Sequence, residues 1–113
     1  MKQITEISDD PNQSFDVVTE DNQVFQLQLN YSDQQQGWFY SIVFEDFILN
    51  NSRLVTSFNV LRSYSNILPF GIAIATEDGS EPIFIDDFST GRVSFFLLTA
   101  AEVEEVEERV YGG

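Results

Sequence analysis

Residues 24–31 read Val24-Phe25-Gln26-Leu27-Gln28-Leu29-Asn30-Tyr31. Phe25, Leu27, Leu29 and Tyr31 fall on one side of an extended chain, and Gln26, Gln28 and Asn30 on the other, where Val24 begins the series. Successive side chains of a strand point to opposite faces, so this alternation predicts a strand with one buried face. Upstream, Ser14-Phe15-Asp16-Val17-Val18-Thr19 runs into the turn-rich Thr19-Glu20-Asp21-Asn22, and the two segments together predict a hairpin. Downstream, the polar loop Ser32–Gly37 leads to a third strand. There Trp38, Tyr40, Ile42 and Phe44 alternate with Phe39, Ser41 and Val43. Both faces of that strand are largely apolar, so one enters the core and the other needs a cover, either a loop or another subunit. Glu45-Asp46 is a tight turn candidate before Phe47-Ile48-Leu49.

Beyond this the pattern is mixed. Val55, Phe58, Val60 and Leu61 fit period two poorly, and a short helical turn is expected near Asn59–Tyr64. Pro69 biases Leu68 to an extended conformation. Phe70–Ala75 is a β-rich run closed by Glu77-Asp78-Gly79-Ser80, where Asp-Gly signals a hairpin into the short run Ile83-Phe84-Ile85. Asp86–Gly91 reads as a loop and Arg92–Leu98 as the last strand. At Thr99 the period changes. Thr99-Ala100-Ala101-Glu102 has the form of a capping box, and Val103, Val106 and Val110 follow at helical spacing. Repeated like charges and β-branched residues weaken this helix, which should be short and frayed unless it docks.

The expected architecture is mainly β: a small antiparallel β-barrel or sandwich of about six to eight strands with a short C-terminal helix. Residues 1–12 are expected as an N-terminal arm, 13–99 as the β domain and 100–113 as an acidic helix or tail. At 113 residues the chain makes one domain, and 42% hydrophobic residues, eleven of them Phe, supply its core. The start MKQITEISDD is polar and no apolar run approaches the ~20 residues of a membrane span, so a soluble domain without membrane contact is expected.

The side-chain inventory excludes much chemistry. The chain has no Cys and no His, which removes thiolate nucleophiles, cysteine zinc sites and the commonest general base. Nineteen acidic residues against five basic ones give a net charge of -14. Such a field repels nucleic acid, and Lys2, Arg53, Arg62, Arg92 and Arg109 are too scattered to form a basic stripe. The expected partners are protein surfaces with basic patches. Asp86 and Asp87, with Glu81 nearby, are the best acidic cluster for a hard cation, but they lack a calcium-loop spacing. The plainer reading is that these carboxylates cap backbone amides or pair with Arg92. No enzymatic function, metal or cofactor is expected. The acidic run 102–108 reads as a solvated face or as a docking tail for a basic partner, through Glu104, Glu105, Glu107 and Glu108.

Several segments, in order, resemble a known family. They are Gln13-x-Phe15-x-Val17, the alternating strand 23–31, Gly37-Trp38, Arg53-Leu54-Val55, Asn66-x-Leu68-Pro69-Phe70-Gly71, Asp78-Gly79-x-Glu81-Pro82, Asp86-Asp87-Phe88, Gly91-Arg92 and Phe96-Leu97-Leu98-Thr99 with Glu102-Val103. The series, over about residues 12–103, resembles the small baseplate plug proteins of contractile-tailed cyanophages. That resemblance implies a virion structural protein, all-β and without catalytic residues, near the tail tube and hub at the central baseplate. It also implies neighbours among other baseplate, tail-tube and hub proteins, with self-association in a ring and assembly in the host cytoplasm. A doubly apolar strand suits such burial, so Phe39 and Val43, with Leu68, Phe70, Ile72 and Ile74, are the candidate contact residues, and plain core is their alternative. The rival function is an acidic DNA mimic that inhibits a host nucleic-acid-binding protein, its carboxylates spaced like phosphates.

Overall fold

A computed structural model describes residues 1–112; Gly113, the end of the tail expected over 100–113, lies outside the described residues. In chain order the elements are β1 (Lys2–Ile4), β2 (Asn12–Val18), β3 (Val24–Ser32), β4 (Gly37–Phe44), β5 (Phe47–Arg53), β6 (Gly71–Thr76), β7 (Val93–Leu98) and the helix α1 (Ala100–Val110). The alternating stretch is β3, and it lies inside a four-stranded antiparallel sheet in the order β2-β3-β4-β5. Across β3 and β4, Leu27 faces Ile42 and Leu29 faces Tyr40 on the buried side, while Gln26 faces Val43 and Gln28 faces Ser41 on the outer side. Both tight turns use a left-handed residue, Asn22 (φ 62°) after β2 and Glu45 (φ 52°) after β4.

The second sheet has three antiparallel strands in the order β1-β7-β6. Ile72 opposite Leu97 and Ile74 opposite Phe95 point inward, and Ala73 opposite Phe96 and Ala75 opposite Ser94 point outward. The inner faces of the two sheets meet through aromatic rings. Phe25 of β3 stacks on Phe70, just before β6, at 4.3 Å and 6°, and Phe44 of β4 meets Phe70 edge-on at 5.3 Å. Neither sheet closes on itself or on the other, so the architecture is a sandwich and not a barrel.

Two segments differ from the sequence expectation, and a third, the mixed stretch, agrees with it. Lys2–Ile4 is not a loose arm: it pairs with β7, Lys2 opposite Leu97 and Ile4 opposite Phe95, and Ile7 enters the core. This strand gives partners to backbone groups of β7 that would otherwise be unpaired, a gain that no local pattern in MKQIT announces. Asp78-Gly79 does not make a hairpin either. β6 pairs with β7 across the connection 77–92, and Ile83–Ile85 is not a strand, because its carbonyls are taken by side chains of the other sheet. The mixed stretch 54–70 is irregular, with a 3-10 turn at Arg62–Tyr64 inside the expected window. It delivers Leu54, Leu61 and Leu68 to the core one at a time, which is why no period fits it.

The helix begins as its capping box requires. The Thr99 hydroxyl accepts from the Glu102 amide and the Glu102 carboxylate accepts from the Thr99 amide. It docks by its first turns: Val103 is buried on the outer face of the three-stranded sheet, over Gly71. A Cβ at Gly71 would lie 2.9 Å from Val103 Cγ2 and 2.8 Å from Asn59 Oδ1, so glycine is what lets the helix approach. Among the described residues no helix is long and apolar enough to cross a membrane.

Candidate interaction surfaces

Of the six apolar contact candidates, four are inside the monomer. Leu68, Phe70, Ile72 and Ile74 are each 3% exposed or less and form part of the core between the sheets, so a neighbouring subunit cannot reach them. Their run reads as apolar because it serves this chain's own sandwich. The other two, Phe39 and Val43, do lie on the outer face of β4. Phe39 is half-buried, with the Arg53 guanidinium 5.6 Å from its ring, and Val43 is exposed. The structure adds neighbours to Val43 that sequence alone did not single out. Ile48 of β5 pairs directly with it, and Val18 of β2 pairs with Val24 of β3, all exposed.

On the strands of this outer face Ser14, Gln26, Gln28, Asn30, Ser41 and Asn50 are neutral and Asp16 and Arg53 are charged, while Glu20, Asp21, Glu45 and Asp46 stand in the turns beside the valines and Ile48. On a chain of net charge -14 a sheet face with so little charge is set apart from the rest of the surface. Val24 at the start of the polar side, with the doubly apolar strand at Phe39 and Val43, was the sequence signal for it.

The four acidic candidates occupy α1. Glu107 binds Arg62 at 2.7 Å, and Glu105 binds Arg109 at 3.4 Å. Glu104 and Glu108 are exposed and have no ion-pair partner among the described residues. Arg62 also stacks on Tyr111, its guanidinium carbon 3.7 Å from the ring centre, and thereby ties the helix end to the 3-10 turn. At the other end of α1 the Met1 ammonium bridges Glu102 and Glu20. Those two carboxylates raise its pKa above the ordinary 8.0.

The acidic cluster in the 77–92 connection has a structural job. Asp87, 1% exposed, accepts from Arg92 Nε at 2.7 Å and Nη2 at 2.8 Å, and from the Phe84 amide at 2.8 Å. Arg92 also donates to Asp78, to the Ser80 hydroxyl and to the Glu81 carbonyl, so all of its N–H groups are engaged. Hydrogen bonding to the Asp87 carboxylate pushes the Arg92 pKa up. The connection is then fastened to the four-stranded sheet. Trp38 Nε1 donates to the Phe84 carbonyl at 3.1 Å, and the Tyr31 hydroxyl donates to the Ile83 carbonyl at 2.6 Å. Asp87 thus pairs with Arg92 and caps a backbone amide. Among the described residues no group of three or more Asp or Glu side chains is arranged to hold a metal ion.

A large concavity lies on the opposite side of the molecule from the β2–β5 outer face. It is a groove of about 600 Å³ on the outer face of the three-stranded sheet, floored by Ala73, Ala75 and Phe96 and walled by Phe58, Met1 and Tyr111. Sequence reading missed it, although small residues alternating with Ile72 and Ile74 were its visible sign. Its lining is mostly apolar, with the hydroxyl residues Thr56, Ser57, Thr76 and Tyr111 and no Asp, Glu, Lys or Arg side chain, so it suits an apolar ligand.

The family model described as cyanophage baseplate Pam3 plug gp18 matches residues 1–101, from β1 to the start of α1. The chain belongs to that family. No individually curated protein matches it. Membership supports a structural role in a phage tail baseplate, in association with other baseplate components. The match ends within the first turn of α1, so Glu104, Glu105, Glu107 and Glu108 lie beyond it, whereas both the neutral sheet face and nearly all of the groove lie within it.

Proposed function

We propose that this chain is a non-enzymatic subunit that joins or seals the tail tube at the central baseplate of a contractile-tailed phage. The observation that carries the reading is the family match over residues 1–101. The physical character of the surface agrees with it. Copies of the chain, assembled in the host cytoplasm, associate in a ring in which the outer face of β2–β5 of one copy meets a different surface of the next. There Val18, Val24, Val43 and Ile48, with Phe39 beside them, bury apolar surface against a neighbour, with Glu20, Asp21, Glu45 and Asp46 at the edge of the contact. Elsewhere a homotypic contact would place carboxylates against carboxylates, and the charge acts as a filter that suppresses wrong contacts. The exposed Glu104 and Glu108 edge of α1, with Glu105 and Glu107, faces a basic hub or tube protein. The repelling field leaves protein, and not nucleic acid or lipid, as the partner class. The DNA-mimic alternative has no corresponding family match, and six of the nineteen acids are paired with Arg62, Arg92, Arg109 and the Met1 ammonium.

Mass spectrometry of purified tails, with antibody-gold labelling, tests the location: label at the distal end of the tail is expected, and absence from intact tails would refute the reading. Two variants then separate the surfaces. Val43→Arg with Ile48→Arg should abolish ring formation in native mass spectrometry while the circular dichroism stays that of a folded chain. Removal of residues 104–113 should leave the fold intact and weaken attachment to the baseplate.

A further inference from the structure

The groove on the three-stranded sheet is left over by the ring contact just proposed, and it has a different electrostatic setting. Its floor and walls are apolar: Ala73, Ala75 and Phe96 below, with Phe58 61% exposed on one side and Met1 59% exposed on another. Its rim is acidic. Glu77 and Asp78 follow directly on the lining residue Thr76, and the Glu81 carboxylate accepts both the amide and the hydroxyl of the lining residue Thr56. At the Met1 end, Glu102 and Glu105 line the adjoining hollow but pair with the Met1 ammonium and Arg109, and Asp78 pairs with Arg92. The rim carboxylates without an ion-pair partner among the described residues are therefore Glu77 and Glu81.

The cations of this chain cannot complement that rim. Arg62 is held by Glu107, Arg92 by Asp87 and Asp78, Arg109 by Glu105, and Arg53 by the carbonyls of Gln35 and Gln36. Lys2 is the one remaining basic side chain, and a second copy would bring it together with a net charge of -14. A homotypic occupant would therefore desolvate the acidic rim without pairing it.

We infer that this groove docks an apolar segment flanked by Lys or Arg, contributed by a different protein of the baseplate. The inference rests on the baseplate reading for the partner's setting, and on the groove and its rim for the partner's chemistry. The apolar side chains of the segment fill the space above Ala73 and Ala75, and its cations meet Glu77 and Glu81. The groove is largely pre-formed, because Phe96 belongs to the central strand of its sheet and Phe58 follows the bridge between Ser57 and Ile74, so little ordering is required on docking.

Two synthetic peptides with the same Leu-Phe-Leu centre, one flanked by lysines and one by glutamates, test the chemistry on the free full-length protein. In amide NMR spectra the lysine-flanked peptide should shift Ala73, Ala75, Phe96 and Tyr111, and the glutamate-flanked one should not. Affinity for the lysine-flanked peptide should fall by about tenfold between low and high salt, as rim contacts are screened. Phe58→Ser, at an exposed wall, should weaken binding by a similar factor, and Glu77→Lys with Glu81→Lys should remove the preference between the peptides. Equal binding of both peptides by the unmodified protein, or shifts confined to another face, overturns the inference. In purified tails, a photo-crosslinking benzoylphenylalanine at position 58 should attach to a Lys- or Arg-flanked apolar segment of a different protein. A crosslink to a second copy, or none in tails that contain the chain, overturns it as well. Tails that lack the chain refute the baseplate reading instead, and the peptide result then stands alone.

Discussion

Asp87→Ala is the substitution that most directly tests how the 77–92 connection is held. The carboxylate is 1% exposed and accepts two bonds from Arg92 and one from the Phe84 amide. Removing it leaves a guanidinium that is 17% exposed without its main partner. Breaking a buried ion pair from one side costs about 3–5 kcal/mol, because the remaining charge keeps its desolvation penalty. Arg92 keeps Asp78, the Ser80 hydroxyl and the Glu81 carbonyl, which places the cost near the lower end, about 3 kcal/mol. For 113 residues at about 2.1 cal/mol/K each, the unfolding entropy is roughly 0.24 kcal/mol/K, so the melting temperature should fall by about 12 °C. Trp38 is the sole tryptophan and donates to the Phe84 carbonyl, so its fluorescence reports the connection while far-ultraviolet circular dichroism reports the sheets. Urea titrations read by both probes give the free-energy change. The double variant Asp87→Leu with Arg92→Met removes both charges and should recover most of the loss, since apolar replacements of a buried pair are often neutral. A single-variant loss below about 1 kcal/mol, or a double variant no better than the single, would refute the assignment of this pair as the fastening of the connection.

Two further predictions concern glycine and pH. Gly71→Ala should cost about 2–4 kcal/mol by thermal melting, because its Cβ meets Val103 and the Asn59 oxygen that accepts from the Leu61 and Ile72 amides. Gly37→Ala should cost under about 1 kcal/mol although its Cβ would lie 2.5 Å from Arg53, since the flexible guanidinium can swing away, and equal losses at both sites would contradict the packing argument. For the clasp at Met1, partial burial pushes the Glu102 carboxyl up, but the ammonium and the Thr99 amide outweigh it and hold its pKa below the ordinary 4.5, while Glu102 and Glu20 raise the Met1 amine above 8.0. The Glu102 contribution is therefore present above its unfolded value and lost as pH falls through the lowered one, and the Met1 contribution is present below 8.0 and lost as pH rises through the raised one. Urea midpoints should fall on the alkaline side in the unmodified chain and lose most of that dependence in Glu102→Gln, and an identical alkaline slope in both would count against the clasp.

Period-two alternation determined the four-stranded sheet by itself. The Phe25-Leu27-Leu29 side, the turn at Glu20–Asn22 and the Trp38–Phe44 strand are neighbours in sequence and in space, so short-range pattern and turn chemistry were enough to set them. The capping box at Thr99 was equally local. Charge and the absence of Cys and His pointed toward protein contacts, and the ordered series of segments already carried the likeness to the plug family. Tertiary structure decided what depends on distant partners. Lys2–Ile4 became a strand because β7 offered it an edge, and Ile83–Ile85 did not because Trp38 and Tyr31 captured its carbonyls. It also decided which apolar residues remain outside. Phe70, Ile72 and Ile74 look as available in sequence as Val43, yet an apolar strand is buried or exposed according to what the opposite sheet lays against it. Here Phe25 and Phe44 cover Phe70, while Val43 and Ile48 remain exposed among the described residues. The groove at Ala73 and Ala75 has the same origin. Its floor is the back of a sheet whose front is filled, and only the placement of Phe58, Met1 and Tyr111 around it makes that back a receptor.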